Sequence, residues 1–80
     1  MRVQEIAKIL NKAGLTKATT KRVDFKTVNV GDYEARKFNY NGINCYILPK
    51  NGMDVNTIIN ILLNAGLKVE NKNGYAAILN

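Results

Sequence analysis

The chain has 80 residues with a formal net charge of +6, a hydrophobic share of 46%, no histidine and a single cysteine, Cys45. This length and composition predict one folded domain over residues 1–80. The missing histidine and lone cysteine exclude Ser-His-Asp catalysis, Cys/His zinc sites and an internal disulfide within this chain. We expect neither a signal peptide nor a membrane span, since no apolar run approaches roughly 20 residues, so the predicted location is the cytoplasm.

Two segments have the spacing of apolar residues that is typical of amphipathic helices. The first helix is predicted over Val3–Lys12, with Gly14 as the left-handed residue that ends it. The second is predicted over 54–64, with Asp54 as its N-cap. At an offset of 52 the two segments share their buried positions and their glycine stop: Val3, Ile6, Ile9, Leu10, Ala13, Gly14 and Leu15 match Val55, Ile58, Ile61, Leu62, Ala65, Gly66 and Leu67. Convergence on one packing solution and duplication both explain this repeat.

The segment between the helices is typical of an antiparallel meander. Strands are predicted over 22–30, 33–40 and 43–48, joined by the hairpin dipeptides Gly31-Asp32 and Asn41-Gly42. A β-bulge is expected near 26–27, because the apolar alternation of the first strand slips there. Asn73-Gly74 predicts a last turn, between 67–72 and 75–79.

These elements predict an α+β fold of two layers. The order is αβββα followed by a C-terminal strand or hairpin, with both helices on one face of an antiparallel sheet. Counting outward from the Asn41-Gly42 turn predicts the pairs of the face under the helices: Tyr40 with Ile43, Phe38 with Cys45, and Arg36 with Ile47. The opposite face is expected to pair Asn39 with Asn44, Lys37 with Tyr46, and Ala35 with Leu48.

No catalytic, metal or cofactor site is predicted. Each carboxylate is better explained by a turn, a helix cap or an exposed position than by a shared metal ion: Glu5, Asp24, Asp32, Glu34, Asp54 and Glu70. The six glycines stand singly rather than in a phosphate-binding loop. Cys45 is interpreted as a small buried hydrophobic residue. We therefore expect a protein that is not an enzyme and needs no cofactor.

Positive charge is the main functional signal of the sequence. Residues 8–37 carry eight lysines and arginines against three acidic residues, so five of the six net charges lie there. Such a surface attracts phosphates, although an excess of lysine for solubility also explains it. The leading hypothesis is a nucleic-acid-binding module that uses Lys17, Lys21, Arg22, Lys26, Arg36 and Lys37, with stacking on Tyr46 and a further candidate ring at Tyr33.

A second hypothesis is a protein partner. If residues 75–79 extend the edge of the sheet, an apolar patch stays exposed on the face away from the helices; if they cross that face, the patch is core. An exposed patch would bind another protein or a second copy of the chain. The residues of this patch are Val28, Val30, Tyr33 and Leu48.

The order of elements resembles the double-stranded-RNA-binding fold, but residues 53–57 are acidic to neutral where that family has a basic motif. The chain also resembles the HicA-type mRNA interferase toxins over roughly half its length. That likeness lies in two helix ends, Ile9-Leu10-Asn11-Lys12-Ala13-Gly14-Leu15 and Ile61-Leu62-Leu63-Asn64-Ala65-Gly66-Leu67. The family's catalytic histidine has no counterpart here, so the resemblance implies the small fold without nuclease activity.

In size and in its richness in asparagine and lysine, the chain is similar to small proteins of phages and other mobile elements, anti-CRISPR proteins among them. This similarity implies a more specific form of the second hypothesis. The protein would then bind and block an acidic or nucleic-acid-binding host protein, such as a CRISPR nuclease.

Overall fold

The computed structural model describes residues 3–14, 21–22, 26–29 and 32–80, with the backbone alone for Lys21 and Arg22. These residues form two helices, α1 (Val3–Lys12) and α2 (Val55–Asn64), and six strands: β1 (Lys21–Arg22), β2 (Thr27–Asn29), β3 (Tyr33–Tyr40), β4 (Ile43–Pro49), β5 (Val69–Lys72) and β6 (Tyr75–Leu79). The strands pair antiparallel in one sheet of order β1-β2-β3-β4-β6-β5. The predicted α+β fold with a C-terminal hairpin is confirmed.

Both helices follow from local signals in the sequence. Helix α1 has the predicted bounds, and Gly14 after it has φ 81°, a left-handed conformation that glycine adopts without steric cost. At the start of α2 a carboxylate oxygen of Asp54 accepts a hydrogen bond of 2.9 Å from the backbone N–H of Asn56. This N-cap provides a hydrogen-bond acceptor for one of the four backbone N–H groups that have no partner within the helix at its start.

The two helices cover the same face of the sheet. Their apolar stripes and alternate residues of the strands form one core: Val3, Ile6, Ala7, Leu10, Val28, Tyr33, Ala35, Cys45, Ile47, Ile58, Leu62, Ala76 and Ile78. We call the opposite face of the sheet the open face, because neither α1 nor α2 lies on it. The predicted two-layer arrangement is therefore confirmed, as is the burial of Cys45.

The predicted strand 22–30 is wrong. Lys21 pairs with Asn29 and Arg22 pairs with Val28, so the chain reverses direction between β1 and β2. The bulge expected at 26–27 therefore does not lie within one continuous strand, because β1 ends at Arg22 and β2 begins at Thr27. Residues 23–25 and the glycine of the predicted Gly31-Asp32 turn lie outside the described residues.

The hairpin of β3 and β4 begins as predicted and then departs from the predicted register. Asn41 and Gly42 both have positive φ, 51° and 76°, as a type I′ turn requires, and Tyr40 pairs with Ile43. Between Lys37 and Tyr40 the register shifts by one residue, and Asn39 adopts φ 54°. From this bulge onward every predicted pair is wrong: Lys37 opposes Cys45, Arg36 opposes Tyr46, Ala35 opposes Ile47, and Glu34 opposes Leu48.

The bulge follows from what each register would bury. The predicted register would place Glu34 and Arg36 under the helices, where charged groups lose their hydration. The observed register places Tyr33 and Ala35 under the helices instead, both fully shielded from solvent. Glu34 is also buried, but on the other face, where it forms ion pairs with Arg36 and Lys50. One additional residue in β3 reconciles this apolar pattern with the Asn41-Gly42 turn.

Candidate nucleic-acid interface

The bulge in β3 places Phe38 on the open face rather than in the core. Its ring is 43% exposed, and its centroid lies 4.8 Å from that of Tyr46 at an interplanar angle of 68°. Tyr46 lies between the core residues Cys45 and Ile47, so strand alternation points it to the open face. The predicted core position of Phe38 is wrong, and the predicted open-face position of Tyr46 is confirmed.

Four aromatic side chains make edge contacts in sequence, and we call them the aromatic row: Tyr40, Phe38, Tyr46 and Tyr75. The outer ring centroids lie 5.9 Å apart for Tyr40 and Phe38, and 6.3 Å apart for Tyr46 and Tyr75. Phe38, Tyr40 and Tyr75 are among the large hydrophobic side chains that the described structure exposes. The row thus joins strands β3, β4 and β6, and its members Phe38, Tyr46 and Tyr75 lie on the open face.

Three members of the aromatic row line a shallow concavity of about 640 Å³. Cationic and polar side chains complete its lining together with one aliphatic residue: Arg36, Lys37, Lys72, Asn73 and Leu48. This volume lies within the range of about 300–1,000 Å³ that is typical of small-ligand sites. The concavity therefore combines aromatic rings and cations on one accessible surface.

Arg36 is oriented by a neighbouring carboxylate. Its Nε donates a hydrogen bond of 2.8 Å to Oε2 of Glu34, whose other oxygen lies 3.9 Å from Nζ of Lys50. The Glu34 side chain is 11% exposed whereas that of Arg36 is 58% exposed. A guanidinium has five N–H donors, so Glu34 fixes the group through one and leaves four on the terminal nitrogens.

Two lysines complete the cationic lining. Nζ of Lys37 donates a hydrogen bond of 2.7 Å to Oδ1 of Asn44, whose Nδ2 donates in turn to Oδ1 of Asn80. Nζ of Lys72 lies 3.5 Å from Oε2 of Glu70, and both side chains are about half exposed. Ion pairs at such exposure are worth roughly 1 kcal/mol or less. A phosphate can therefore replace the carboxylate of Glu70 at little cost.

The structure brings together only part of the predicted basic surface. Arg36, Lys37 and Tyr46 line the concavity. The predicted open-face position of Lys37 opposite Tyr46 is wrong, because the observed register pairs Lys37 with the core residue Cys45, and Lys37 borders the concavity from that position. The backbone carbonyl of the exposed Lys26 accepts a hydrogen bond of 2.8 Å from the backbone N–H of Lys37. Lys21 and Arg22 lie on the edge strand β1, two strands away from β3. Lys17 falls outside the described residues.

The predicted apolar patch does not form among the described residues. Strand β6 does extend the sheet, between β4 and β5, but Val28 and Tyr33 are fully buried on the face under the helices. Leu48 is half-buried and lines the concavity, while Val30 lies outside the described residues. The prediction failed because it carried the register from the Asn41-Gly42 turn without the bulge.

Tyr33 joins the sheet to α1 instead of serving a binding surface. Its hydroxyl donates a hydrogen bond of 2.9 Å to Oδ1 of Asn11 and lies 3.4 Å from the carbonyl oxygen of Ala7. Burial raises the pKa of Tyr33 to about 12 and likewise raises the pKa of the Cys45 thiol to about 12. Near neutral pH Cys45 is therefore protonated, which removes the thiolate that a nucleophilic cysteine needs.

Comparisons with known proteins do not place the chain in a family. No protein-family model matches it, and neither the curated proteins nor the solved structures gave a match. Within the described ranges no cluster of three or more acidic or cysteine side chains is arranged to hold a metal ion. Neither α1 nor α2, the helices of the described part, is long and apolar enough to cross a membrane. The likeness to the HicA-type toxins stays a prediction.

Proposed function

We propose that the protein binds single-stranded nucleic acid on the open face of its sheet. The observation that carries this proposal is the concavity in which Phe38, Tyr46 and Tyr75 share one surface with Arg36 and other cations. Bases stack on aromatic rings with about 1–3 kcal/mol per base, and lysine and arginine contact the phosphates. Each chemical feature of a strand thus meets a complementary group in one place.

The arrangement favours a single strand over a duplex. In a duplex the bases are stacked on one another and paired, so their flat surfaces are not available to protein rings. The rings of the concavity lie on strands β3, β4 and β6, and neither described helix projects from that face toward a groove. Recognition through exposed rings on a sheet is typical of single-stranded ligands.

Charge supports the same ligand. The cations of the lining and the residues linked to them by ion pairs have a charge balance of +2: Arg36, Lys37, Lys72 and Lys50 against Glu34 and Glu70. The whole chain has a net charge of +6, which includes this local balance and attracts a polyanion from a distance. Affinity is therefore expected to fall as salt rises, by about 0.7 powers of salt concentration for each phosphate contacted on a single strand.

Fluorescence anisotropy with a labelled single strand tests the proposal. We expect Tyr46→Leu to weaken binding by about 5- to 150-fold, which corresponds to the loss of one stacked base. Tyr40→Leu is the matched control, because Tyr40 belongs to the aromatic row but does not line the concavity. The proposal fails if neither single-stranded DNA nor RNA binds at low salt, or if the two variants weaken binding equally.

The same concavity favours a second candidate, a protein partner, because tyrosine and arginine are among the side chains that are enriched at the energetic centres of protein interfaces. A partner of this kind would present carboxylates to Arg36 and Lys72. An acidic host protein, as in the inhibitor hypothesis, fits that description. An affinity pull-down from lysate with and without nuclease treatment distinguishes the candidates. A partner protein stays bound to this protein after nuclease treatment, and nucleic acid does not.

A further inference from the structure

We infer that the concavity holds one unstacked base of a strand, on the ring of Tyr46, rather than a run of stacked bases. This inference rests on the proposed function and narrows its ligand. It comes from the mutual inclination of the rings, from the burial of Ala77 and from the placing of cations on both sides of Tyr46.

The rings of the concavity are not arranged as a flat platform. Phe38 and Tyr75 flank Tyr46 with interplanar angles of 68° and 72°. Successive stacked bases are parallel to one another, so a platform for them needs rings of similar orientation. A ring inclined by about 70° on each side instead limits the flat surface to the central ring.

Burial indicates that Tyr46 is the central, flat-lying ring. Ala77 pairs directly with Tyr46 and is fully buried, although it lies on the face without helices. Neighbouring side chains must therefore cover its methyl group. Its two direct cross-strand partners are Tyr46 and Glu70, and because the Glu70 side chain is 54% exposed, we assign most of the cover to the ring of Tyr46. Phe38 and Tyr75 are both more than 40% exposed, whereas Tyr46 is half-buried between them. Tyr46 thus forms the floor of a slot, and the two exposed rings form its walls.

Cations lie on both sides of this slot. Arg36 pairs with Tyr46 across β3 and β4, and Lys72 pairs with Tyr75 across β5 and β6. In the sheet order β3-β4-β6-β5, Tyr46 therefore lies between the two cations. A nucleotide within a strand has one phosphate on each side of its base, so the cations match the two phosphates that flank a base on Tyr46.

Strands of five nucleotide units, each with the same phosphates but different numbers of bases, test the inference. One strand carries thymine at every unit, one carries a single thymine at its centre between abasic units, and one is abasic throughout. We expect the affinity for the single-base strand to lie within about fivefold of that for the full strand, because the full strand differs only in having five bases that can each occupy the slot. We expect the abasic strand to bind about 5- to 150-fold more weakly than the single-base strand.

Two variants identify the ring involved. Tyr46→Leu should lower the affinity for the single-base strand to the affinity for the abasic strand. Tyr46→Phe keeps the ring and should bind the single-base strand within about twofold of the wild-type affinity. A single-base strand that binds more than fivefold more weakly than the full strand would overturn the one-base slot but leave the proposed function standing. Thymidine monophosphate binding as tightly as the full strand would overturn it in favour of a free nucleotide. Failure of every strand to bind would overturn the proposed function itself.

Discussion

We expect the free energy of unfolding to fall at alkaline pH because of the buried hydroxyl of Tyr33. In the folded chain burial raises its pKa to about 12, whereas an unfolded tyrosine titrates near 10. Between these values the unfolded chain loses a proton that the folded chain keeps, so ionisation favours unfolding. The contribution is fully present below pH 10 and is lost as pH rises through 12. The difference between the two pKa values corresponds to about 2.7 kcal/mol.

Tyr33→Phe isolates this contribution, because all other ionisable groups are present in both proteins and cancel in the comparison. At pH 7 we expect the wild type to be more stable by about 1 kcal/mol, the worth of the hydrogen bond to Asn11. Between pH 10 and 12 the wild type should lose about 2 to 3 kcal/mol relative to the variant, so the order of stability reverses.

Urea unfolding at a series of pH values measures both free energies of unfolding. The absorbance of tyrosinate in the ultraviolet provides a second readout, in which Tyr33→Phe should remove an ionisation step near pH 12. A difference in stability that is independent of pH would refute the reasoning, since it would mean that the hydroxyl of Tyr33 ionises equally well in both states.

Three further predictions concern the bulge, the cysteine and the cationic lining. Asn39→Val should lower the free energy of unfolding by about 1–2 kcal/mol, because a β-branched residue adopts a φ of 54° only with strain. The control Asn39→Gly should not lower it, since glycine adopts this φ without strain. Equal thermal stability of the two variants would contradict the bulge. The thiol of Cys45 should react with an aromatic disulfide reagent only after denaturant is added, and a full reaction in the native protein would contradict its burial. Lys72→Ala should reduce the salt dependence of strand binding by about 0.7 powers of salt concentration. The matched control Lys68→Ala should leave the salt dependence unchanged, since Lys68 does not line the concavity. Equal effects of the two variants would mean that Lys72 contributes only through the overall charge of the protein.

Features that depend on neighbouring residues were predictable from the sequence. The bounds of α1, the cap at Asp54 and the turn at Asn41-Gly42 each follow from a few adjacent side chains, and each is confirmed. The register beyond the turn was not predictable by counting alone. Its prediction buried Arg36 and Glu34, and that conflict is the signal in the sequence that could have indicated the bulge.

The candidate site was predictable only in part, for a related reason. Arg36, Lys37 and Tyr46 lie on one hairpin, so sequence reasoning could group them. Tyr75 and Lys72 reach Tyr46 only through the pairing of β6 with β4, which joins residues about thirty positions apart. No local pattern specifies that pairing, and most of the excess positive charge lies elsewhere in the sequence, in residues 8–37.

The position of β6 has a consequence for how the sheet opens. The β5–β6 hairpin is joined to the rest of the sheet through the ladder between β4 and β6. A ligand that contacts both Tyr46 and Tyr75 would bridge this seam and hold the hairpin in place. Hydrogen exchange of the backbone amides of β4 and β6 should then slow on binding, while that of β2 should change least.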